Sequence, residues 1–263
     1  MGQVMIEGGH VAFIIPFASA VLIWWLGTIL LLAVTRKLYF SKIIGLMFGS
    51  AILMQLGYFG LYYFSHHPVG GYAAYGSFLS TILIWVWLES SFLVGWVTGP
   101  RKVSCSPNLR GFERVKQAFQ AVLYHEIHIV VLALGIFLVT KDTEHYVGFY
   151  AFLILWGMRT SSKLNLFFGV RNLYINFLPD KIAYLSTYFR QKSCNALFPF
   201  LFALAFTINL LFWNNAFISL GTSQYVGNIL LASLMTLGVL EHILMIVPFN
   251  CNGIWRVGLT VQK

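Results

Sequence analysis

Trp85-Val86-Trp87-Leu88-Glu89-Ser90-Ser91-Phe92 sets a carboxylate inside an apolar run, 75–97, that is long enough to cross a membrane. An ionisable group in hydrocarbon is costly, so where one occurs it faces a bundle interior and pairs or does work there. Two more glutamates stand the same way, Glu126 within Tyr124-His125-Glu126-Ile127-His128 and Glu241 within Leu240-Glu241-His242. Their apolar runs are 118–139 and 226–248. A fourth run, 146–169, carries Arg159 and Lys163. The chain has only eight acidic residues in 263, so three of them in such runs is not scatter. Each glutamate is about eight residues from the same predicted side of the membrane, which is roughly 12 Å at helical rise.

Outward from these four runs the rest of the chain reads alike. A helix crossing a bilayer needs about 20 predominantly apolar residues, and the runs 11–34, 43–64 and 196–217 also qualify. The chain is 59% hydrophobic and 10% charged, with a mean hydropathy of +0.77, against about 25% charged for a soluble domain. The expectation is an all-α polytopic membrane protein, a helical bundle of about seven transmembrane helices forming a single integral membrane domain over residues 1–263. No Lys or Arg precedes the first run, so no cleavable signal peptide is expected.

Lys and Arg fix the direction. Fourteen of the seventeen fall on one side of the seven runs: Arg36 to Lys42, Arg101 to Lys116, Arg171 to Lys192, and Arg256 with Lys263. Lys141 stands alone on the other side. The cytoplasmic side of a membrane protein collects the basic loops. The N-terminus is therefore expected in the periplasm or otherwise outside, and the C-terminus in the cytoplasm. The same distribution accounts for the net charge of +9 without nucleic acid, which is not expected as a partner. Cys105, Cys194 and Cys251 fall in or beside cytoplasmic segments, where thiols stay reduced. The loop 172–195 holds Leu185, Tyr188 and Phe189 among polar residues and is expected to lie on the membrane surface as an amphipathic helix. His66-His67, His10 and His145 are expected in solvent.

Arg159 and Lys163 are four residues apart and share a helix face, so anions must stand opposite them. Three readings fit the layer. In the first, Glu89, Glu126 and Glu241 pair with Arg159 and Lys163, with one negative charge in excess, and fix the packing of four helices. Asn165 then hydrogen-bonds another helix. The second is a site for iron or another divalent metal, with Glu89, His125, Glu126, Glu241 and His242 as ligands, as in carboxylate-rich bundles. Against it, adjacent residues diverge by about 100° on a helix, and two cations would repel the ion. In the third, Arg159 and Lys163 hold an anionic group of a pigment, and His125 or His242 ligates a tetrapyrrole metal such as that of bacteriochlorophyll.

The motifs also resemble a known family. Trp87 to Gly95 followed by Thr98-Gly99-Pro100-Arg101, then Tyr124-His125-Glu126, then Leu155-Trp156-Gly157-Met158-Arg159-Thr160-Ser161-Ser162-Lys163-Leu164-Asn165 running on through Arg171-Asn172-Leu173, are similar to the PuhE family of purple bacteria. Leu178-Pro179-Asp180, Phe198-Pro199 and Leu240-Glu241-His242 extend the resemblance over about residues 11–256. The chain departs from the pattern at Leu88, Lys181 and Ile243, and His128 lies outside it. The resemblance implies a factor of the inner, intracytoplasmic membrane that assists assembly of the photosynthetic reaction centre or supplies bacteriochlorophyll. Its implied partners are lipids, reaction-centre or light-harvesting subunits, and pigment-synthesis enzymes. A metal-dependent oxidoreductase acting on a tetrapyrrole, carotenoid or quinone at the same layer is the alternative.

Overall fold

The computed structural model describes residues 2–36, 40–175 and 178–248, with side chains over 12–35, 42–175 and 178–248. The side chains of His10, Arg36 and Lys37, and the residues Cys251, Arg256 and Lys263, lie outside the described residues. The chain forms α1 (Gly2–Arg36), α2 (Phe40–Ser65), α3 (Gly71–Leu93), α4 (Gly111–Thr140), α5 (Val147–Phe168), a 3-10 helix (Asp180–Tyr188), α6 (Phe198–Ile218) and α7 (Tyr225–Ile246). Six of these are long and apolar enough to cross a membrane. The exception is α5, whose 22 residues make about 33 Å of helix but whose hydropathy is lowered by Arg159 and Lys163. Its sides are covered by apolar neighbours instead. The expected all-α polytopic bundle is the observed one.

The helices α3, α5 and α7 run parallel through the centre. Val147, Met158 and Ser161 of α5 meet Gly227, Gly238 and His242 of α7 in order. Thr81, Trp85 and Glu89 of α3 likewise meet Gly148, Phe152 and Arg159 of α5. Phe78, Ile84, Leu88, Ile129, Phe152 and Leu230 are wholly buried between them. Lipid tails are as apolar as leucine, so close packing rather than the hydrophobic effect holds such helices together. Gly148 shows how: a Cβ there would strike Leu61 and stand 2.8 Å from Thr81 Oγ1, so three helices meet where a side chain is absent.

Helix α1 is aslant. Phe13 and Phe17 pack with Trp213, Tyr225 and Ile229 of α6 and α7 near one end. Leu31 and Leu32 pack with Phe92 and Leu93 of α3 near the other.

Two of the boundaries that differ from the sequence reading bear on the site. Helix α3 ends at Leu93 rather than at 97, because the chain turns back on itself: Trp96 and Val97 N–H groups both donate to the Ser91 carbonyl at 3.0 Å. Helix α4 starts at Gly111, well before the apolar run. Glu89 therefore sits one turn from its helix end while Glu126 sits four turns into its own. The space beside the extra turns of α4 is filled by the connections 94–110 and 169–197.

Those connections form a cap. Ile182, Leu185 and Tyr188 of the 3-10 helix are buried against Phe92, Leu93 and Ala121. Their spacing of three is the repeat of a 3-10 helix, whose side chains at i and i+3 eclipse. The segment is amphipathic as expected, but its apolar face rests on the protein rather than on a membrane. Gly99 seats the other connection: a Cβ there would strike the Gln120 carbonyl oxygen and stand 2.6 Å from the Ala121 carbonyl carbon. The close approach lets the His125 N–H donate to the Thr98 carbonyl at 2.9 Å.

Candidate functional site

Two ion pairs stand beneath the cap. Arg159 Nη2 of α5 donates to Glu89 Oε2 of α3 at 2.6 Å, and Lys163 Nζ donates to Glu126 Oε1 of α4 at 2.6 Å. The i, i+4 spacing puts the two cations on one face of α5, and that face looks into the angle between α3 and α4. Glu89 is the more enclosed carboxylate, its side chain 8% exposed against 24% for Glu126. Charge-assisted hydrogen bonds of this length are the strong class. A low-dielectric setting makes each pair hard to break without leaving a bare charge.

Phe92 lies between the cations. Its ring centroid is 6.0 Å from Arg159 Cζ and 5.9 Å from Lys163 Nζ. On the cap side the His125 ring packs against it at 4.3 Å. His125 has no exposed surface, and among the described residues neither of its nitrogens has a hydrogen-bond partner. Glu89 Oε1, Ser90 Oγ and Arg159 Nε are also buried without partners. A native interior satisfies nearly all such atoms, if need be with ordered water.

The remaining expected members are distributed differently. His242 is buried on α7 with both nitrogens engaged, Nε2 with Ser161 Oγ at 2.8 Å and Nδ1 with the Gly238 carbonyl at 2.9 Å. Asn165 is buried but bonds a connection rather than a helix: its Oδ1 accepts from Asn195 Nδ2 at 3.0 Å. Asn195 in turn accepts the N–H groups of Leu197 and Phe198 and so opens α6. Glu241 departs most. It lies within electrostatic reach of Arg159, Glu89 and His242, yet it makes no ion pair among the described residues and its side chain is exposed. The expected third pair is absent because Arg159 and Lys163 are each taken by a nearer carboxylate.

Other functional candidates escaped the sequence reading. His128, set aside there, accepts from Trp87 Nε1 at 3.0 Å and ties α4 to α3. The register of Glu126 and His128, both facing neighbours two residues apart, follows from the wide angle that α3 and α5 together cover. Arg114 is 6% exposed and pairs with no carboxylate among the described residues: it donates to the Tyr188 carbonyl at 2.6 Å and to the Phe167 carbonyl, with Phe167's ring 4.0 Å from its guanidinium carbon. Cations belong at helix C-terminal carbonyls, and Arg114 serves two such ends at once. Arg101 Nε donates to Tyr188 Oη at 2.9 Å, locking the two connections together. A basic residue in a cytoplasmic-type loop reads as a topology signal, so nothing in its spacing marked either arginine as structural. His145, expected in solvent, is buried as well.

The geometry discriminates among the chemical readings. Among the described residues no three of His, Cys, Asp and Glu come together as a metal would need. Glu89 and Glu126 are turned to cations, and His242 is spent on Ser161 and Gly238. For a tetrapyrrole, an axial ligand must offer a free nitrogen to an open space. His125 is fully enclosed and His242 has none free, so these residues do not fit that role. What the layer can do is hold α3, α4, α5 and α7 in register, with the Glu241 side chain exposed beside it.

Over residues 10–263 the chain matches a family described as protein of unknown function (DUF3623), and it belongs to that family. It is similar to a protein of Rhodobacter capsulatus described as "Uncharacterized 30.4 kDa protein in puhA 5'region". The two are 31% identical over 182 residues, covering 69% of this chain and 66% of the relative, so just under two thirds of that relative's length is spanned. No solved structure matches the chain.

Proposed function

From its family and the geometry of its charged layer, we propose that this protein is an accessory factor of a bacterial photosynthetic membrane that assists assembly of the reaction centre. Support comes from a relative whose description places it in the puhA 5' region, and from the PuhE-like motifs of Glu89, Glu126, Arg159, Lys163 and Glu241. In this reading the protein lies in the inner membrane with its basic connections in the cytoplasm. The charged layer then falls in the cytoplasmic half of the bilayer.

One observation carries the assembly role: Glu241 is an exposed carboxylate with no ion pair among the described residues, on a membrane-spanning helix beside two closed ion pairs. A bare carboxylate facing lipid is unfavourable, and a partner segment bearing a hydrogen-bond donor relieves it. The ion pairs of Glu89 and Glu126 hold the platform rigid, and Glu241 is the handle. The rival reading, a metal-dependent oxidoreductase, lacks a ligand set in this geometry.

Deleting the gene from its own bacterium tests the proposal. The reaction-centre absorbance of isolated membranes falls, and a Glu241→Gln copy at normal abundance fails to restore it. Unchanged reaction-centre content in the deletion strain would refute the role. Stoichiometric iron, zinc or manganese in the purified protein, lost on Glu126→Ala, would favour the enzyme instead.

A further inference from the structure

Helix α2 turns a polar side chain to the outside of the bundle. Its inner face is taken up by neighbours: Gly57 and Gly60 lie against Ser80 of α3, and Tyr58 Oη donates to the Leu132 carbonyl of α4 at 3.0 Å. On the far side Gly45, Phe48, Gly49, Ile52, Gln55 and Phe59 are all exposed. At 3.6 residues per turn they share one arc of about 120°.

Gln55 is the polar member of that arc. It is exposed and makes no hydrogen bond among the described residues. Ser50 and Ser65 on the same helix fold back onto carbonyls of the preceding turn, but Gln55 makes no such bond. The apolar span runs from Lys42 to Ser65. At helical rise Gln55 stands about 20 Å from Lys42 and about 15 Å from Ser65, which puts its amide near mid-membrane. An amide in hydrocarbon with neither water nor a partner is costly. Gln55 also lines a groove of about 580 Å³ on this face, together with Ala51 and with Phe48 and Phe59, which are 70% and 71% exposed.

An occupant of that groove must be apolar along its length and must offer the amide an acceptor and a donor at its own depth. A second α2 meets both conditions. All copies of the chain insert in one direction, set by their basic loops, so their Gln55 amides lie at one height. A two-fold axis along the membrane normal brings those amides face to face. The partial positive charge on one Nε2 then meets the partial negative charge on the other Oε1, so the group is complementary to itself. The steps of three and four from Gly45 through Phe48, Ile52 and Gln55 to Phe59 suit a left-handed helix pair. At Gly45 and Gly49 open space stands where a Cβ would be, so no side chain holds the two helices apart there.

We propose that the outer face of α2 is a self-association surface, on which two copies of this protein pair α2 with α2 and their Gln55 amides hydrogen-bond to each other. The pairing is isologous, the commonest kind among oligomers. It is independent of the assembly role, because α2 contributes no residue to the two ion pairs of the charged layer.

Donor- and acceptor-labelled copies of the full-length protein, mixed in phosphatidylcholine liposomes, test the surface. Energy transfer follows a monomer–dimer curve as lipid is added. Gln55→Leu weakens association about tenfold, as loss of a hydrogen bond between membrane helices does, while Tm at monomeric dilution in detergent is unchanged. Cross-linking in the protein's own membrane, with Cys105, Cys194 and Cys251 replaced by Ser, gives a second readout that leaves Gln55 in place. On oxidation Ile52→Cys forms a dimer of twice the 29.8 kDa chain. Leu53→Cys, also exposed but about 100° round the helix, does not. No energy transfer at any density, equal association by Gln55→Leu, or equal cross-linking of Leu53→Cys overturns the proposal. A cross-link from Ile52→Cys to a different membrane protein alone also overturns it, and gives the face to that partner.

Discussion

At the residue scale the ion pairs behave as units. Removing one partner of a buried pair leaves a bare charge and costs about 3–5 kcal/mol, whereas replacing both can be nearly neutral. Lys163→Met therefore lowers Tm in detergent sharply by stranding Glu126, and the double variant Glu126→Gln with Lys163→Met recovers most of the loss. A double variant no more stable than Lys163→Met alone would show that the pair is not coupled. Glu241 behaves oppositely. With no ion pair among the described residues to lose, Glu241→Gln changes stability by less than about 0.5 kcal/mol, as exposed substitutions do, and Tm is the check. The residue types of this layer were legible from the sequence, since ionisable groups in apolar runs are conspicuous. Which carboxylate met which cation was not, because that depends on the rotation of each helix about its axis. Glu241 shows the difference: it comes within electrostatic reach of Arg159 and Glu89, yet among the described residues it makes no ion pair.

At the element scale the cap is the part that sequence rules misread. The Leu185 and Tyr188 spacing promised an amphipathic segment, and the segment exists, but its partner turned out to be Phe92, Leu93 and Ala121. Amphipathicity says that a face will be covered; it does not say by what. Gly99 makes the cap possible by letting 94–101 touch the backbone of α4. Gly99→Val forces a side chain against main-chain atoms that cannot rotate away, an overpacking cost of roughly 1–3 kcal/mol. Amide hydrogen exchange over 180–188 then accelerates while α2 is unchanged. Equal protection in the variant would mean that the cap holds without that contact. Arg114 is a second pin, and Arg114→Met frees the carbonyls of Phe167 and Tyr188, with faster exchange at the end of α5 and the 3-10 helix as the expected readout.

At the scale of the whole molecule, the parallel trio α3, α5 and α7 gives the bundle two unlike ends. One has closed ion pairs beneath a cap, and the other has the first turns of the three helices. The basic connections predict which end faces the cytoplasm. A membrane-impermeant maleimide checks it: the exposed native Cys194 reacts only in inverted vesicles, and His67→Cys reacts only in intact cells whose outer membrane is opened. Labelling with the sides exchanged would invert the topology.

Hydropathy and charge needed no coordinates to specify a multi-pass helical protein, the approximate place of its long helices, and the four runs that carry ionisable residues. Those properties are additive along the chain, because the bilayer acts on each segment separately. Helix rotation, the pairing of Arg159 with Glu89 and of Lys163 with Glu126, and the enclosure of His125 came only with the tertiary structure. They arise from packing among segments distant in sequence, where a small turn about a helix axis decides whether a side chain finds a partner, a cavity or the lipid.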